Sequence, residues 1–129
     1  MDTRTVVAVA GLGHGDNPIP LATRKGPLLA SGGIFGLDPA TGTVPEEFEA
    51  QVVLMFANVR RVLEAAGGSP GDIIKMTVWT RARGGKDLLN REWTAMFPDP
   101  QSRPARHSLI NEHMPPPLLI QCDVLAVLG

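Results

Sequence analysis

PEEFEAQVVLMFANVRRVLEAA, residues 45–66, is the stretch that decides the architecture. Phe48, Val52, Met55, Phe56, Val59, Val62 and Leu63 recur at helical spacing and gather on one face. The stretch therefore reads as an amphipathic helix whose apolar stripe must be covered. Pro45 suits the first turn, and Glu46, Glu47 and Glu49 complement the positive end of the helix dipole. Gly67-Gly68 stops the helix. The Met and Phe side chains are core residues in this reading, and a sheet is the obvious surface for them.

Working outward, the sequence supplies that sheet. Downstream, residues 72–80 read as a strand carrying Ile73, Ile74, Met76, Val78 and Trp79, and residues 81–86 as a solvated turn. Asp87 is predicted to cap a second helix, 88–97, with Leu89, Trp93, Met96 and Phe97 on its inner face. A short strand at 107–110 and a loop at 111–117 lead to a final strand, 118–128. That strand is apolar almost throughout, which suggests cover on both faces. Upstream, residues 5–10 form a strand, and residues 21–24 and 27–35 two more around a turn at Lys25-Gly26. Residues 37–42 are a turn by composition. Residues 11–15 fail the dinucleotide fingerprint, because Asp16 stands where the third glycine belongs. They read as a flexible loop, with His14 exposed and inert. The order β-β-β-α-β-α-β-β predicts an α+β fold, one domain over residues 1–129, with both helices on one sheet face.

Composition narrows the function classes. The net charge is -1, from 12 basic and 13 acidic side chains, so no electrostatic footprint for nucleic acid is present. No apolar run is long enough to span a bilayer, and no secretory leader is recognisable. The single cysteine, Cys122, excludes an intramolecular disulfide and fits a cytoplasmic protein.

The chemistry-bearing residues are few. Arg103-Pro104-Ala105-Arg106-His107-Ser108-Leu109 follows the turn Phe97-Pro98-Asp99-Pro100 and is stiffened by proline. An arginine at the end of such a turn suits capture of a carboxylate, because its guanidinium offers a fixed fork of donors. Gln121 and Asp123, two apart, share one face of the last strand and must find partners or line a cleft. If the strands carrying Arg106 and Gln121 are neighbours, the two groups face a common cleft. Cys122 points the other way, where burial keeps a thiol inert. His14, His107, His113 and Cys122 lack metal-ligand spacing, so no metal site is expected. No serine sits in a nucleophile elbow.

Several motifs in order carry a resemblance. They are Ser31-Gly32-Gly33, Asp38-Pro39-Ala40-Thr41-Gly42, Ala57-Asn58-Val59, Leu63-Glu64-Ala65-Ala66-Gly67, Asp72-Ile73-Ile74-Lys75-Met76-Thr77-Val78, Asn90 and Arg103-Pro104-Ala105-Arg106. Over most of its length the chain resembles the RidA/YjgF reactive intermediate deaminase family, also labelled endoribonuclease L-PSP. The resemblance implies a chorismate-mutase-like mixed sheet with two helices on one face, assembled as a homotrimer with clefts between subunits. It implies hydrolysis of enamines and imines such as 2-aminoacrylate to a 2-keto acid and ammonia, without a cofactor. Arg106 matches the family's substrate-carboxylate arginine, Gly33 the glycine of the first cleft strand, and Asn90 the helix asparagine.

The departures from the family pattern are specific. Its cleft tyrosine falls at Ile19. The serine of its Ser-Gly pair falls at Gly32, with Ser31 one place away. The carboxylate that positions the hydrolytic water falls at Gln121. A neutral amide can hold a water but cannot take its proton. Asp123 or His107 is then the alternative base. The expected ligand is a small carboxylate, and the alternative to an enzyme is a trimer that binds it without chemistry. The last strand predicts the same assembly. Cys122 is expected under the helices, Gln121 and Asp123 on the cleft side, and Arg106 against a neighbouring subunit.

Overall fold

The computed structural model describes residues 3–129. Its elements are β1 (Thr5–Val7), β2 (Ala22–Lys25), β3 (Leu28–Ser31), β4 (Ile34–Phe35), α1 (Phe48–Ala65), β5 (Ile73–Thr80), α2 (Lys86–Met96), β6 (Ala105–Ile110) and β7 (Ile120–Val127). The strands form one mixed sheet in the order β1-β2-β3-β7-β5-β6, with β4 also pairing β7. Every pair is antiparallel except β5–β6, which α2 bridges as a crossover helix. The α+β architecture with two helices packed on a mixed sheet is the one expected.

The core lies between the sheet and α1. Val52, Met55, Phe56, Val59, Val62 and Leu63 meet Ile120, Cys122, Val124 and Ala126 of β7 and Met76 and Val78 of β5 in one buried cluster. Along β7 the alternation is strict within the chain. Cys122 and its even-numbered neighbours are buried, Gln121 and Asp123 half-buried, and Leu125 and Val127 38% and 42% exposed. Only the helix-side face of this strand is fully covered by its own chain, so the complete cover on both faces that its apolar character suggested is not provided within one molecule.

Helix α1 begins at Phe48, later than its proline suggested. Glu47 is extended, and the Pro45 carbonyl accepts a hydrogen bond from Gln51 Nε2 at 2.8 Å instead of starting the helix. The C-terminus follows the sequence closely. Gly67 takes φ +83°, its N–H donates to Glu64 O at 3.0 Å, and Gly68 N–H donates to Leu63 O at 2.8 Å. This is a Schellman closure, which favours glycine at the left-handed position. Arg24 Nη1 donates to Ala66 O at 2.9 Å, a cation at the negative end of the helix.

Two polar side chains on α1 are wholly enclosed, Gln51 at 0% and Asn58 at 1% exposure. Gln51 Nε2 also donates to Pro117 O at 2.9 Å, and its Oε1 accepts from Leu119 N at 2.9 Å. Asn58 Nδ2 donates to Phe35 O and Leu37 O, each at 2.8 Å. These amides tie the helix to the loops that flank β4 and β7. Gln51→Leu strands three backbone groups, and is expected to cost about 3 kcal/mol of stability. Urea denaturation checks this. A loss below about 1 kcal/mol would mean that those groups find water when the amide is gone.

Several other boundaries differ from the sequence reading. The strand expected at 27–35 is split into β3 and β4 at Gly32-Gly33. Strand β1 stops at Val7, because the chain turns early and Leu12 N–H donates to Val9 O at 3.1 Å. Helix α2 starts at Lys86 after Gly85, which caps it at φ +74°, so Asp87 lies in the first turn and not at the cap. A Cβ at Gly85 would stand 2.4 Å from the Phe48 ring, so both conformation and space favour glycine there.

Candidate functional site

Strand register assigns each candidate residue to a face. In the β5–β6 pair, Met76 stands opposite Arg106 and Thr77 opposite His107. Met76 is completely buried under the helices. Arg106 therefore points into the helix layer, while His107 lies on the open face with Thr77 and Asp123. Strand β5 also stands between β6 and β7. The supposition that these strands pair directly, with Arg106 and Gln121/Asp123 on a common cleft, is thus corrected for a single chain. The groups lie on opposite faces with a strand between them.

Around Arg106 the structure builds a defined pocket wall. The guanidinium carbon lies 4.7 Å from the centroid of the Trp93 ring, within cation–π range. Nη2 donates to Asn90 Oδ1 at 2.9 Å. Asn90 and Trp93 are one turn apart on α2, so one helix face supplies both contacts. Nη1 is buried without a hydrogen-bond partner among the described residues. Burial lowers the pKa of Arg106 from its ordinary value, yet an arginine remains charged at neutral pH. A cation held flat, with a buried donor left over, is suited to an incoming anion.

A second cluster forms where β3 gives way to β4. Phe35 and Trp79 flank Gln121 in register. A Cβ at Gly33 would stand 3.1 Å from Gln121 Oε1, so glycine allows the amide to lie against the backbone. His14, expected to be exposed and inert, is instead half-buried, and its Nε2 is 2.9 Å from Gly33 O. Gly32 is close to the same ring, its Cβ position 3.5 Å from His14 Cε1. Ile19 is 54% exposed on the loop that carries His14. Asp123 Oδ2 accepts a hydrogen bond from Trp79 Nε1 at 3.1 Å, which orients the carboxylate on the open face.

The structure thus joins Arg106 with Asn90, and Gly33 with Gln121, as two separate groups. Sequence reading missed Trp93, although its three-residue spacing from Asn90 was available. It also missed Trp79 and His14, whose partners come from strands distant in sequence. Cys122 is buried, and desolvation followed by the nearby Asp123 charge pushes its thiol pKa far above the ordinary value. It is not a nucleophile. Among the described residues, no cluster of three or more His, Cys, Asp or Glu side chains could hold a metal ion.

Comparison with known proteins adds the relatives. The family model described as Endoribonuclease L-PSP matches residues 19–128. The 2-iminobutanoate/2-iminopropanoate deaminase of Salmonella typhimurium is 31% identical over 103 residues, which span 79% of this chain and 80% of that protein. Among solved structures, the YjgF gene product of Escherichia coli aligns with a TM-score of 0.85 at 27% identity, covering 95% of this chain and 98% of that one. Escherichia coli TdcF with bound serine aligns with a TM-score of 0.87 at 25% identity, covering 97% of this chain and 99% of that one.

Proposed function

This chain belongs to the RidA/YjgF family, and on that premise we propose that it hydrolyses reactive enamines and imines of the 2-aminoacrylate type to a 2-keto acid and ammonia. The observation that carries the reading is Arg106, a half-buried cation laid on Trp93, fixed by Asn90, with Nη1 lacking a partner among the described residues. A substrate carboxylate supplies that partner. A relative named for 2-imino acids, and another solved with serine bound, both handle small α-substituted carboxylates.

The chemistry asks little more of the protein. A protonated imine is electrophilic at carbon. Water adds there, gives up a proton, and the resulting carbinolamine expels ammonia to leave the keto acid. Gln121 Oε1 orients the water, and its neutral amide leaves proton acceptance to Asp123, held by Trp79, or to His107 on the same face. No redox group or carrier is needed for such a step.

Arg106 and Gln121 occupy opposite faces of one sheet, so the working site takes Arg106 and Asn90 from one chain and Gly33 and Gln121 from another. The assembly is a homotrimer. The exposed apolar row Leu28, Leu125 and Val127 on the open face supports it.

The test is ammonia release from 2-iminobutanoate. A rate above the uncatalysed one is expected, and a rate no different from buffer would reject the assignment. Gln121→Glu is expected to raise the rate about 10-fold by supplying a proton acceptor beside the water. The neutral Gln121 favours one second reading, a trimer that binds 2-keto acids without turning imines over. Calorimetric binding of 2-oxobutanoate with no hydrolysis in wild type would select it.

A further inference from the structure

We propose that His14 is a positioning residue of this site, holding the Gly33 carbonyl and so fixing the strand break against which Gln121 is set. Its kinetic consequence rests on the imine-hydrolase reading; its geometric content does not.

The break is a β-bulge. Ala30 pairs with Leu125, and Ile34 with Cys122, so residues 31–33 stand against residues 123–124 of β7. One extra residue bends the strand and takes backbone groups out of the ladder. Side chains satisfy them. Ser31 Oγ donates to Gly32 O at 2.8 Å and accepts from Val124 N at 2.9 Å. His14 serves Gly33 O from 19 residues upstream at 2.9 Å.

The approach of His14 is built into the loop. Gly11 has φ +83°, and a Cβ there would stand 2.5 Å from Pro39 O, so the chain turns tightly against the 38–43 turn. Leu12 packs on the core, and Asn17 N–H donates back to His14 O at 3.3 Å. The ring thus lies beside Gly32 and tilted to Phe35, with centroids 6.5 Å apart. A carbonyl oxygen only accepts, so His14 Nε2 carries the hydrogen. In the neutral ring Nδ1 is then the bare acceptor, and it is buried without a partner among the described residues.

Because Gln121 Oε1 takes up the space where a Gly33 Cβ would stand, 3.1 Å away, and the Gly33 carbonyl is held by His14, loss of the imidazole frees the bulge and the amide together. His14→Leu removes the donor. His14→Gln keeps an N–H donor at similar reach but has no ring. The expected result is a fall in kcat/KM of about 10-fold for His14→Leu, at unchanged assembly, and recovery to within about 3-fold for His14→Gln. Nitrogen NMR of the wild-type imidazole is expected to show the Nε2–H tautomer, and the Gln121 side-chain amide resonances are expected to shift in His14→Leu alone. These spectra need no substrate, so they decide the proposal even if wild type hydrolyses no imine. An Nδ1–H tautomer, unmoved Gln121 resonances in His14→Leu, or equal loss in both variants would overturn it.

Discussion

Arg106→Ala is expected to lower kcat/KM for 2-iminobutanoate about 10²- to 10³-fold, the loss of a charge-assisted contact in a half-buried setting. The guanidinium stacks on Trp93 and is pinned through Nη2 to Asn90. Removing it deletes the cation without disturbing the sheet, because Arg106 lies on the edge strand β6. Arg106→Lys is expected to recover only part of the rate, since an ammonium reproduces neither the planar stack nor the fork. Steady-state kinetics with intact secondary structure by circular dichroism checks both. Equal rates in wild type and Arg106→Ala would remove Arg106 from the mechanism.

Val127→Asp is expected to dissolve the proposed trimer and to remove the proposed hydrolysis with it. Val127 pairs with Leu28 on the open face, and both are exposed in the isolated chain. A monomer tolerates a carboxylate there, whereas a subunit contact would have to bury it unpaired, at several kcal/mol per chain. That lowers the association constant by about 10²-fold or more. Sedimentation should show a folded monomer without activity. A monomeric variant with full turnover would mean that one chain holds a complete site.

Local patterns carried most of the fold. The apolar stripe of α1, the glycines that close it and the alternation along β7 are short-range signals, and each element stands where they put it. Gly32-Gly33 inside an apolar run signals a bulge, another backbone or a ligand at close approach, and only the partner strand decides for the bulge. Strand order was less legible. Nothing local to β6 or β7 states that β5 lies between them, or in which register each pairs with β5, and that register decides that Arg106 and Gln121 lie on opposite faces. The buried amides of Gln51 and Asn58 were hidden for a similar reason, since their partners are carbonyls of distant loops. His14 looked like a polar residue in a glycine-rich loop. Its role depends on a carbonyl exposed by a strand irregularity elsewhere in the chain.

The proposed shared site is tested most directly by mixing two impaired chains, Arg106→Ala and Gln121→Leu, and measuring ammonia release from 2-iminobutanoate after subunits exchange. If one chain supplies Arg106 and its neighbour Gln121, about a quarter of the sites in a random equal mixture carry both intact residues. Hydrolysis should then rise to about a quarter of the wild-type rate. A mixture no more active than the average of its two parents, with exchange verified by mass spectrometry, would contradict a site built between chains.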